Sequence, residues 1–186
     1  MRIIAGEFKG RALQGPEALG TRPTADRVRE ALFSHLEARL GGLEGLLVLD
    51  AFAGTGALGL EALSRGAAHC LFVETDPAAL TVLRANIEHC GADSRATVRR
   101  GNAFVLAARL AEAEPFDLVL LDPPYSTPSE EVMRLVEALR QAGAIGPGSY
   151  LVYEHQRRQP VTWPACYDGE HQARYGKTFL SSASVI

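Results

Sequence analysis

The sequence predicts an α/β fold in which a mainly parallel sheet carries helices on both faces. From residue 46 onward, short apolar runs alternate with segments whose apolar residues recur at helical spacing, as in repeated β-α units. The run at 116–121 has only Asp117 among apolar side chains, which is typical of a strand buried on both faces. With 186 residues the chain can bury one sizeable core, so we expect a main domain at 43–186 and an extension at 1–42.

The extension is predicted to be a short hairpin followed by one amphipathic helix. Residues 2–5 and 11–13 flank a turn that contains glycine. After an irregular loop at 14–22, Thr24 is a good N-cap, and apolar residues recur at helical spacing until Gly41 and Gly42 stop the helix.

Seven strands are predicted in the main domain. Five apolar runs lie at 46–49, 70–73, 96–98, 116–121 and 150–153, and the tail adds strands around 161–163 and 177–184. Helical segments connect the first five. One begins near Leu58, one opens with Asp76 as N-cap and Pro77 behind it, and one covers 104–110. The tetrapeptide at 127–130 combines Thr as N-cap, Pro at the first helical position and a capping-box Glu, and predicts a helix to about residue 140.

Composition and charge indicate an ordinary soluble protein with basic residues near its start. The chain is 47% hydrophobic and 22% charged, and shows neither a bilayer-spanning run nor a signal peptide. Its three cysteines lack CxxC spacing and its histidines lack metal-ligand spacing. The net charge is −3, but residues 1–29 hold six Lys or Arg against three Asp or Glu. We therefore expect a cytoplasmic monomer without a metal, whose termini meet any phosphate backbone.

Residues 50–59 form a glycine loop between the first central strand and its helix. Gly54, Gly56 and Gly59 make a G-x-G-x-x-G pattern, which lets a ligand approach the backbone. The pattern fits a dinucleotide or S-adenosylmethionine, and Glu74 at the end of the next strand would serve a ribose in either case. Asp50 favours S-adenosylmethionine, because a carboxylate faces a pyrophosphate unfavourably but attracts an ammonium group. A glycine turn without a ligand is the structural alternative.

The candidate cofactor site extends to the end of the third strand. Asn102 follows that strand, where its amide can read an adenine and also cap a helix. The residues expected to bind the cofactor are Asp50, Phe52, Ala53, Gly54, Thr55, Gly56, Glu74, Thr75, Asn102 and Ala103.

The tetrapeptide Asp122-Pro123-Pro124-Tyr125 is the candidate catalytic turn. It follows the strand at 116–121, and ligands of open α/β sheets bind outside the carboxyl ends of the strands. Two prolines make the turn stiff, so that the Asp122 carboxylate and the Pro123 carbonyl can hold the two hydrogens of one exocyclic amino group. Tyr125 offers a face on which a planar base can stack. The pattern also fits a plain turn with a buried tyrosine.

Together these residues resemble a class I S-adenosylmethionine-dependent amino-methyltransferase. The segments at 2–6, 10–11 and 22–33 resemble more narrowly the RsmD family, which methylates a guanine N2 in bacterial 16S rRNA. The resemblance implies a Rossmann-like, mainly parallel seven-stranded sheet with one antiparallel strand, and an N-terminal hairpin and helix near the substrate. It also implies 16S rRNA or an assembling small ribosomal subunit as partner. The residues expected to contact RNA are Arg2, Lys9, Arg11, Arg22, Arg27 and Arg29.

Three other functions are compatible with the sequence. A similar turn can present the adenine N6 amino group of a nucleic acid or the glutamine amide of a translation factor. A DNA adenine methyltransferase usually needs a separate recognition domain, for which 186 residues leave little room. The basic N-terminal segment weighs against a protein substrate. The non-enzymatic alternative is a silent RNA-binding module, which calorimetry with S-adenosylmethionine would distinguish.

Overall fold

A seven-stranded sheet forms the centre of the molecule, as seen in a computed structural model that describes residues 1–15, 23–110, 114–156 and 161–186. The strand order within these residues is β3-β2-β1-β4-β5-β7-β6. The strands are β1 (Leu47–Asp50), β2 (His69–Glu74), β3 (Ala96–Arg100), β4 (Leu118–Leu121), β5 (Tyr150–Gln156), β6 (Tyr167–Tyr175) and β7 (Thr178–Val185).

Five α-helices are present in the described residues. They are α1 (Pro23–Leu40), α2 (Ala57–Ser64), α3 (Pro77–Cys90), α4 (Ala103–Leu106) and α5 (Ser129–Gln141). Asp76 caps α3 by accepting a hydrogen bond from the Ala78 N–H, and Asn102 caps α4 in the same way through Phe104. Each cap therefore lies two residues after the end of a strand, in a turn at the carboxyl edge of the sheet.

The first five strands are parallel, and β7 runs antiparallel between β5 and β6. The two strands expected in the tail thus complete the predicted sheet. Asp50 of β1 is in register with Leu120 of β4, and Leu121 of β4 with Tyr153 of β5. The carboxyl ends of β1, β4 and β5 are consequently level with one another.

Two local predictions were wrong. Helix α5 begins at Ser129 rather than behind a Thr127 cap, because the first helical N–H groups, those of Glu131 and Val132, donate to the Pro128 carbonyl and make Pro128 the N-cap. The strand predicted around 161–163 begins only at Tyr167. Pro164 lacks an N–H, and its carbonyl accepts a turn hydrogen bond from Tyr167 at 3.0 Å.

The N-terminal extension packs on the sheet and on α2. Its hairpin is reduced to one bridge, between Arg2 and Ala12. Phe8 and Phe33 lie in the same buried cluster as Val48 of β1, on one face of the sheet. The extension and the sheet therefore share a core.

Candidate active site

Four neighbouring strands each carry an acidic residue at or near their carboxyl ends. Glu74 ends β2, Asp50 ends β1, Asp122 directly follows β4, and Glu154 lies in β5 one residue beyond Tyr153. Side chains alternate between the two faces of a strand, and these positions share the parity of residues buried against the extension. The sheet thus gathers four carboxylates along one edge and toward one face.

The glycine loop has a conformation that requires glycine and leaves space beside it. Gly54 has φ of +54° and Gly56 of +85°, both in the left-handed region. A Cβ at Gly56 would lie 2.4 Å from Cδ1 of Leu83, whereas a Cβ at Gly54 would meet nothing within 4 Å. Gly56 therefore permits close packing against α3, and Gly54 leaves an open side that a ligand can approach.

Glu74 holds the loop and the start of the next connection together. Its Oε2 accepts a hydrogen bond from the Gly54 N–H at 2.7 Å, and its Oε1 accepts from Thr75 at 2.6 Å and Asp76 at 2.8 Å. Both carboxylate oxygens are thus bound to backbone N–H groups. The ribose role expected for Glu74 would use its remaining acceptor capacity.

Asp50 is a buried carboxylate with one unsatisfied oxygen. Its side chain is almost fully buried, and Oδ2 accepts a hydrogen bond from the Gly59 N–H at 3.0 Å. Oδ1 is buried and has no hydrogen-bond partner among the described residues. Burial, helped by the charge of Glu74, raises the pKa of Asp50 to about 7, although the backbone N–H groups of Gly59 and Phe52 lower it. An ammonium group would satisfy both the free oxygen and the charge, so the site fits the amino-acid end of S-adenosylmethionine.

The other expected cofactor residues surround this loop. The Phe52 ring lies 5.6 Å from the Phe104 ring, and Ala53 donates to the Val73 carbonyl. The Thr55 carbonyl accepts a hydrogen bond from Asn86 of α3 at 2.9 Å. Asn102 is exposed while it caps α4, and Ala103 is buried. All of these residues therefore lie at the carboxyl edge of β1, β2 and β3 or on the loops that leave it.

A cleft of about 660 Å³ connects the start of α2 to the candidate catalytic turn. Ala57 and Leu58, at the start of α2, line one side of it, and Asp122, Tyr125 and Glu154 line its other side. Tyr125 is 51% exposed and lines the cleft, as a side chain on which a base stacks must be. The structure thus places the start of α2, where the glycine loop ends, and the Asp122 turn beside one cavity.

The cleft also contains an acidic residue that the sequence reasoning missed. The Tyr125 hydroxyl donates a hydrogen bond to Oε1 of Glu154 at 3.2 Å. Burial and the nearby charges of Glu154 and Asp50 raise the pKa of Asp122 well above its usual range, and burial also raises the pKa of Glu154. A signal was available in the sequence, because Glu154 follows an apolar run just as Asp50, Glu74 and Asp122 follow theirs.

The expected RNA-contacting residues divide into two groups. Arg2, Lys9 and Arg27 are exposed. The Arg11 guanidinium donates to the carbonyl of Cys90, and the buried Arg29 guanidinium donates to the Arg2 carbonyl and to Asp26. The two latter residues thus have partners within the protein.

Arg22 lies outside the described residues. Among the residues that are described, there is no group of three or more His, Cys, Asp or Glu side chains that could hold a metal ion. Nor does that part of the chain contain a helix of sufficient length and apolar character to cross a membrane.

Comparisons with known proteins agree with this architecture. The family model described as conserved hypothetical protein 95 matches residues 1–183. Ribosomal RNA small subunit methyltransferase D of Escherichia coli K12 is 41% identical over 143 residues, which cover 74% of this chain and 67% of that protein. The Haemophilus influenzae protein of the same name is 33% identical over 167 residues, covering 88% of this chain and 83% of that protein.

Solved structures show the same fold. An Escherichia coli structure described as a methyltransferase superposes with a TM-score of 0.83 at 31% identity, covering 100% of this chain and 97% of that chain. Magnesium protoporphyrin IX methyltransferase of Synechocystis, with bound S-adenosylmethionine, has a TM-score of 0.67 at 16% identity over 91% of this chain and 87% of that chain, and shares the fold alone. The chain therefore belongs to the family described as conserved hypothetical protein 95, as an RsmD-like methyltransferase with a Rossmann-like class I fold.

Proposed function

We propose that this protein transfers a methyl group from S-adenosylmethionine to the N2 amino group of a guanine in 16S ribosomal RNA. The relatives named ribosomal RNA small subunit methyltransferase D support a small-subunit rRNA substrate, free or in an assembling particle. The observation that carries the proposal is the cleft, which adjoins the start of α2 on one side and Asp122 and Tyr125 on the other. A methyl donor and an amino acceptor can meet there.

The cofactor is held by the glycine loop and the adjoining strand ends. Asp50 accepts from the ammonium group through its unsatisfied Oδ1, and the backbone near Gly54 offers the open approach. In this proposal Glu74 and Thr75 contact the ribose, and Asn102 and Ala103 contact the adenine. When bound, the sulfonium supplies an activated methyl group, so the protein needs no covalent intermediate.

Asp122 and the Pro123 carbonyl orient the acceptor. They accept hydrogen bonds from the two hydrogens of the amino group, which directs its lone pair toward the methyl group. The new N–C bond forms as the S–C bond breaks with its electron pair, and the amino nitrogen then releases one proton to Asp122. Asp122 takes this step in its ionised form. Burial disfavours that form in the free protein, and the N–H donors of the bound base favour it.

Tyr125 and the extension position the RNA. The exposed ring of Tyr125 stacks on the base, a contact worth about 1–3 kcal/mol, after the nucleotide has been unstacked. We propose that residues 1–42 face the RNA and that exposed Arg2, Lys9 and Arg27 contact phosphates. The internal partners of Arg11 and Arg29 make these two residues supports for that surface.

Nucleoside mass spectrometry tests the proposed function directly. Small ribosomal subunits from a strain that lacks the enzyme are incubated with the purified protein and methyl-labelled S-adenosylmethionine, and the rRNA is digested. We expect labelled N2-methylguanosine, and we expect Asp122→Ala to reduce its formation at least 100-fold while cofactor affinity, measured by calorimetry, stays within a few fold. Labelled N6-methyladenosine, or normal turnover by Asp122→Ala, would contradict the proposal.

A further inference from the structure

Glu154 is the acidic residue of the cleft that methyl transfer itself leaves without a role. It lies beside Asp122, because the β4–β5 register pairs Leu121 with Tyr153 and the two acids are the next residues along each strand. Neighbouring strands lie about 4.8 Å apart. Two carboxyl groups are therefore presented side by side at the place where the base is to be held.

The side chain of Glu154 is fixed but not fully occupied. Its Oε1 accepts a hydrogen bond from the Tyr125 hydroxyl at 3.2 Å, which ties it to the ring proposed as the stacking surface. Among the described residues, its Oε2 has no hydrogen-bond partner, and the residue lines the cleft. One acceptor oxygen of Glu154 is thus available to a base that stacks on Tyr125.

Placing two carboxyl groups together in a partly buried site is unfavourable unless hydrogen-bond donors reach them. Burial raises the pKa of both groups, and the charge of Glu154 raises that of Asp122 further. A ligand that brings N–H donors to both groups relieves this cost. The pair therefore selects for a ligand with two adjacent donor nitrogens.

Guanine presents such an edge, and the other bases with an amino group do not. Its N1–H lies next to its N2 amino group, so two neighbouring nitrogens both donate. The adenine amino group lies beside the acceptor N1, and the cytosine amino group beside the acceptor N3. A second carboxylate beside Asp122 would meet a lone pair on adenine or cytosine and a donor on guanine.

We propose that Glu154 accepts a hydrogen bond from the N1–H of the target guanine while Asp122 holds its N2 amino group, so that Glu154 selects guanine over other bases. This inference rests on the proposed function, since it names how the same cleft recognises its substrate. Tyr125 has two roles in it, because its ring supports the base and its hydroxyl orients Glu154.

A double-mutant-type cycle, with two protein variants and two substrates, isolates the contact between Glu154 and the guanine N1–H. Small subunits are reconstituted with either guanine or 2-aminopurine at the modified position. 2-Aminopurine keeps the N2 amino group but has an acceptor at N1. The kcat/KM of the wild type and of Glu154→Ala is measured on both substrates. The missing O6 of 2-aminopurine affects both proteins alike and cancels in the cycle.

We expect the wild type to prefer guanine by about 10–100-fold and Glu154→Ala to lose most of that preference, chiefly by slower reaction with guanine. Cofactor affinity should remain within a few fold, which also shows that the variant is folded. If it does not, Glu154→Met, which has a similar side-chain volume but no oxygen acceptor, replaces it in the cycle. Glu88→Ala, an exposed acid of α3 outside the cleft, is the matched control and should retain the full preference.

The outcomes separate this inference from the proposed function. If the variant lost the same factor on guanine and on 2-aminopurine, Glu154 would not contact N1–H and the inference would be wrong. If the wild type formed no N2-methylguanosine in the guanine-containing subunits, the proposed function would fail instead.

Discussion

The buried carboxylate of Asp50, which we propose binds the cofactor, also makes the stability of the protein depend on pH. Its pKa is raised by burial to about 7, whereas an unfolded chain has the ordinary value near 3.8. Between these values the folded protein holds a proton that the unfolded chain has lost. The contribution of Asp50 to stability is therefore full below about pH 4 and is lost as the pH rises toward 7. Ionised Asp50 lowers the free energy of unfolding of the protein without cofactor, and the ammonium group of a bound cofactor would offset this loss.

We predict that cofactor binding near pH 6.5 releases up to one proton. Asp50 is partly protonated in the free protein, and an adjacent ammonium group lowers its pKa so that the proton leaves. Calorimetric titration in two buffers of different ionisation enthalpy measures the release. Asp50→Asn should bind more weakly and release none. Equal apparent enthalpies in both buffers for the wild type would show that Asp50 does not change its charge on binding.

At single residues the sequence was most informative where a side chain serves the backbone. Asp76 was predicted as a cap from its position before Pro77, and the cap is present. The prediction at Thr127 was wrong because the same residue pattern is compatible with a turn and with a cap, and the N-cap is Pro128, one residue later. The hydrogen bond from Tyr125 to Glu154 joins the turn after β4 to β5. Because its two residues are 29 positions apart, no local sequence pattern indicates it.

At the level of elements, α3 connects the glycine loop to the extension through one buried side chain. Asn86 donates hydrogen bonds from Nδ2 to the Thr55 carbonyl at 2.9 Å and to the Gln14 carbonyl at 3.0 Å. Its Oδ1 accepts from the Gln14 N–H at 2.8 Å. A single amide thus fixes the cofactor loop, α3 and the end of the hairpin relative to one another.

We predict that Asn86→Ala weakens cofactor binding about 5–50-fold and lowers the melting temperature by several degrees. The substitution removes the hydrogen-bond partner of partly buried backbone groups at Thr55 and Gln14, each costing up to about 1–3 kcal/mol, and frees the loop to move. Calorimetry and thermal unfolding measure the two effects. Arg84→Ala, on the exposed side of the same helix, is the control. Cofactor affinity equal to that of the wild type would show that Asn86 does not support the loop.

The strands and helices that sequence patterns predicted best are those buried on both sides. The runs at 46–49 and 70–73 correspond to β1 and β2 within one or two residues. Strand β6 was placed too early because it lies at the edge of the sheet, where half of its side chains are polar and the apolar Val161 and Trp163 are the stronger signal. An edge strand is specified by its partner β7 rather than by its own pattern.

For the whole molecule, a buried charge cluster joins the extension to the sheet domain. The carboxylate of Glu61 in α2 is fully buried and accepts hydrogen bonds from the Ile4 and Ala5 N–H groups at 2.8 and 3.1 Å. It also forms ion pairs with Arg29 at 3.8 Å and Arg65 at 2.9 Å. The extension is therefore held by a charged centre as well as by the shared apolar core.

We predict that the chain unfolds in one transition and that Glu61→Ala lowers the free energy of unfolding by about 3–5 kcal/mol. Removing Glu61 leaves the N–H groups of Ile4 and Ala5 without their acceptor. It also takes one of two carboxylate partners from each of the buried guanidinium groups of Arg29 and Arg65. Urea unfolding is followed by far-ultraviolet circular dichroism and by the fluorescence of the single tryptophan, Trp163. Transitions that separate in the wild type would indicate that the extension unfolds independently.

We also predict that the exposed basic residues set the salt dependence of RNA binding. The double variant Arg2→Ala and Lys9→Ala should bind rRNA more weakly and reduce the slope of log K against log salt by up to about two. Fluorescence anisotropy at several salt concentrations measures the slope. The control is Arg140→Ala on α5, which is ion-paired with Glu137 and should leave the slope unchanged. An unchanged slope in the double variant would place the RNA elsewhere.

At this scale the sequence predicted the sheet and its glycine loop but not the composition of the cleft. Repeated β-α units determine the strand order, and the edge at which the loops meet follows from it. The cleft also takes residues from α1, β5 and the β6–β7 turn, which are far apart along the chain. Such non-local surroundings are known only once the helices and strands have packed.

The position of β7 has a consequence for how the protein is made. Strand β7 is the last strand described, yet it pairs with β5 along seven residues from Tyr150 to Gln156 and separates it from β6. While a nascent chain still lacks residues 178–185, β5 has an unpaired edge and Glu154 is not yet held between its final neighbours. The wall of the cleft can therefore mature only after β7 has been synthesised, and a chain interrupted before residue 178 would contain the glycine loop without a finished substrate pocket.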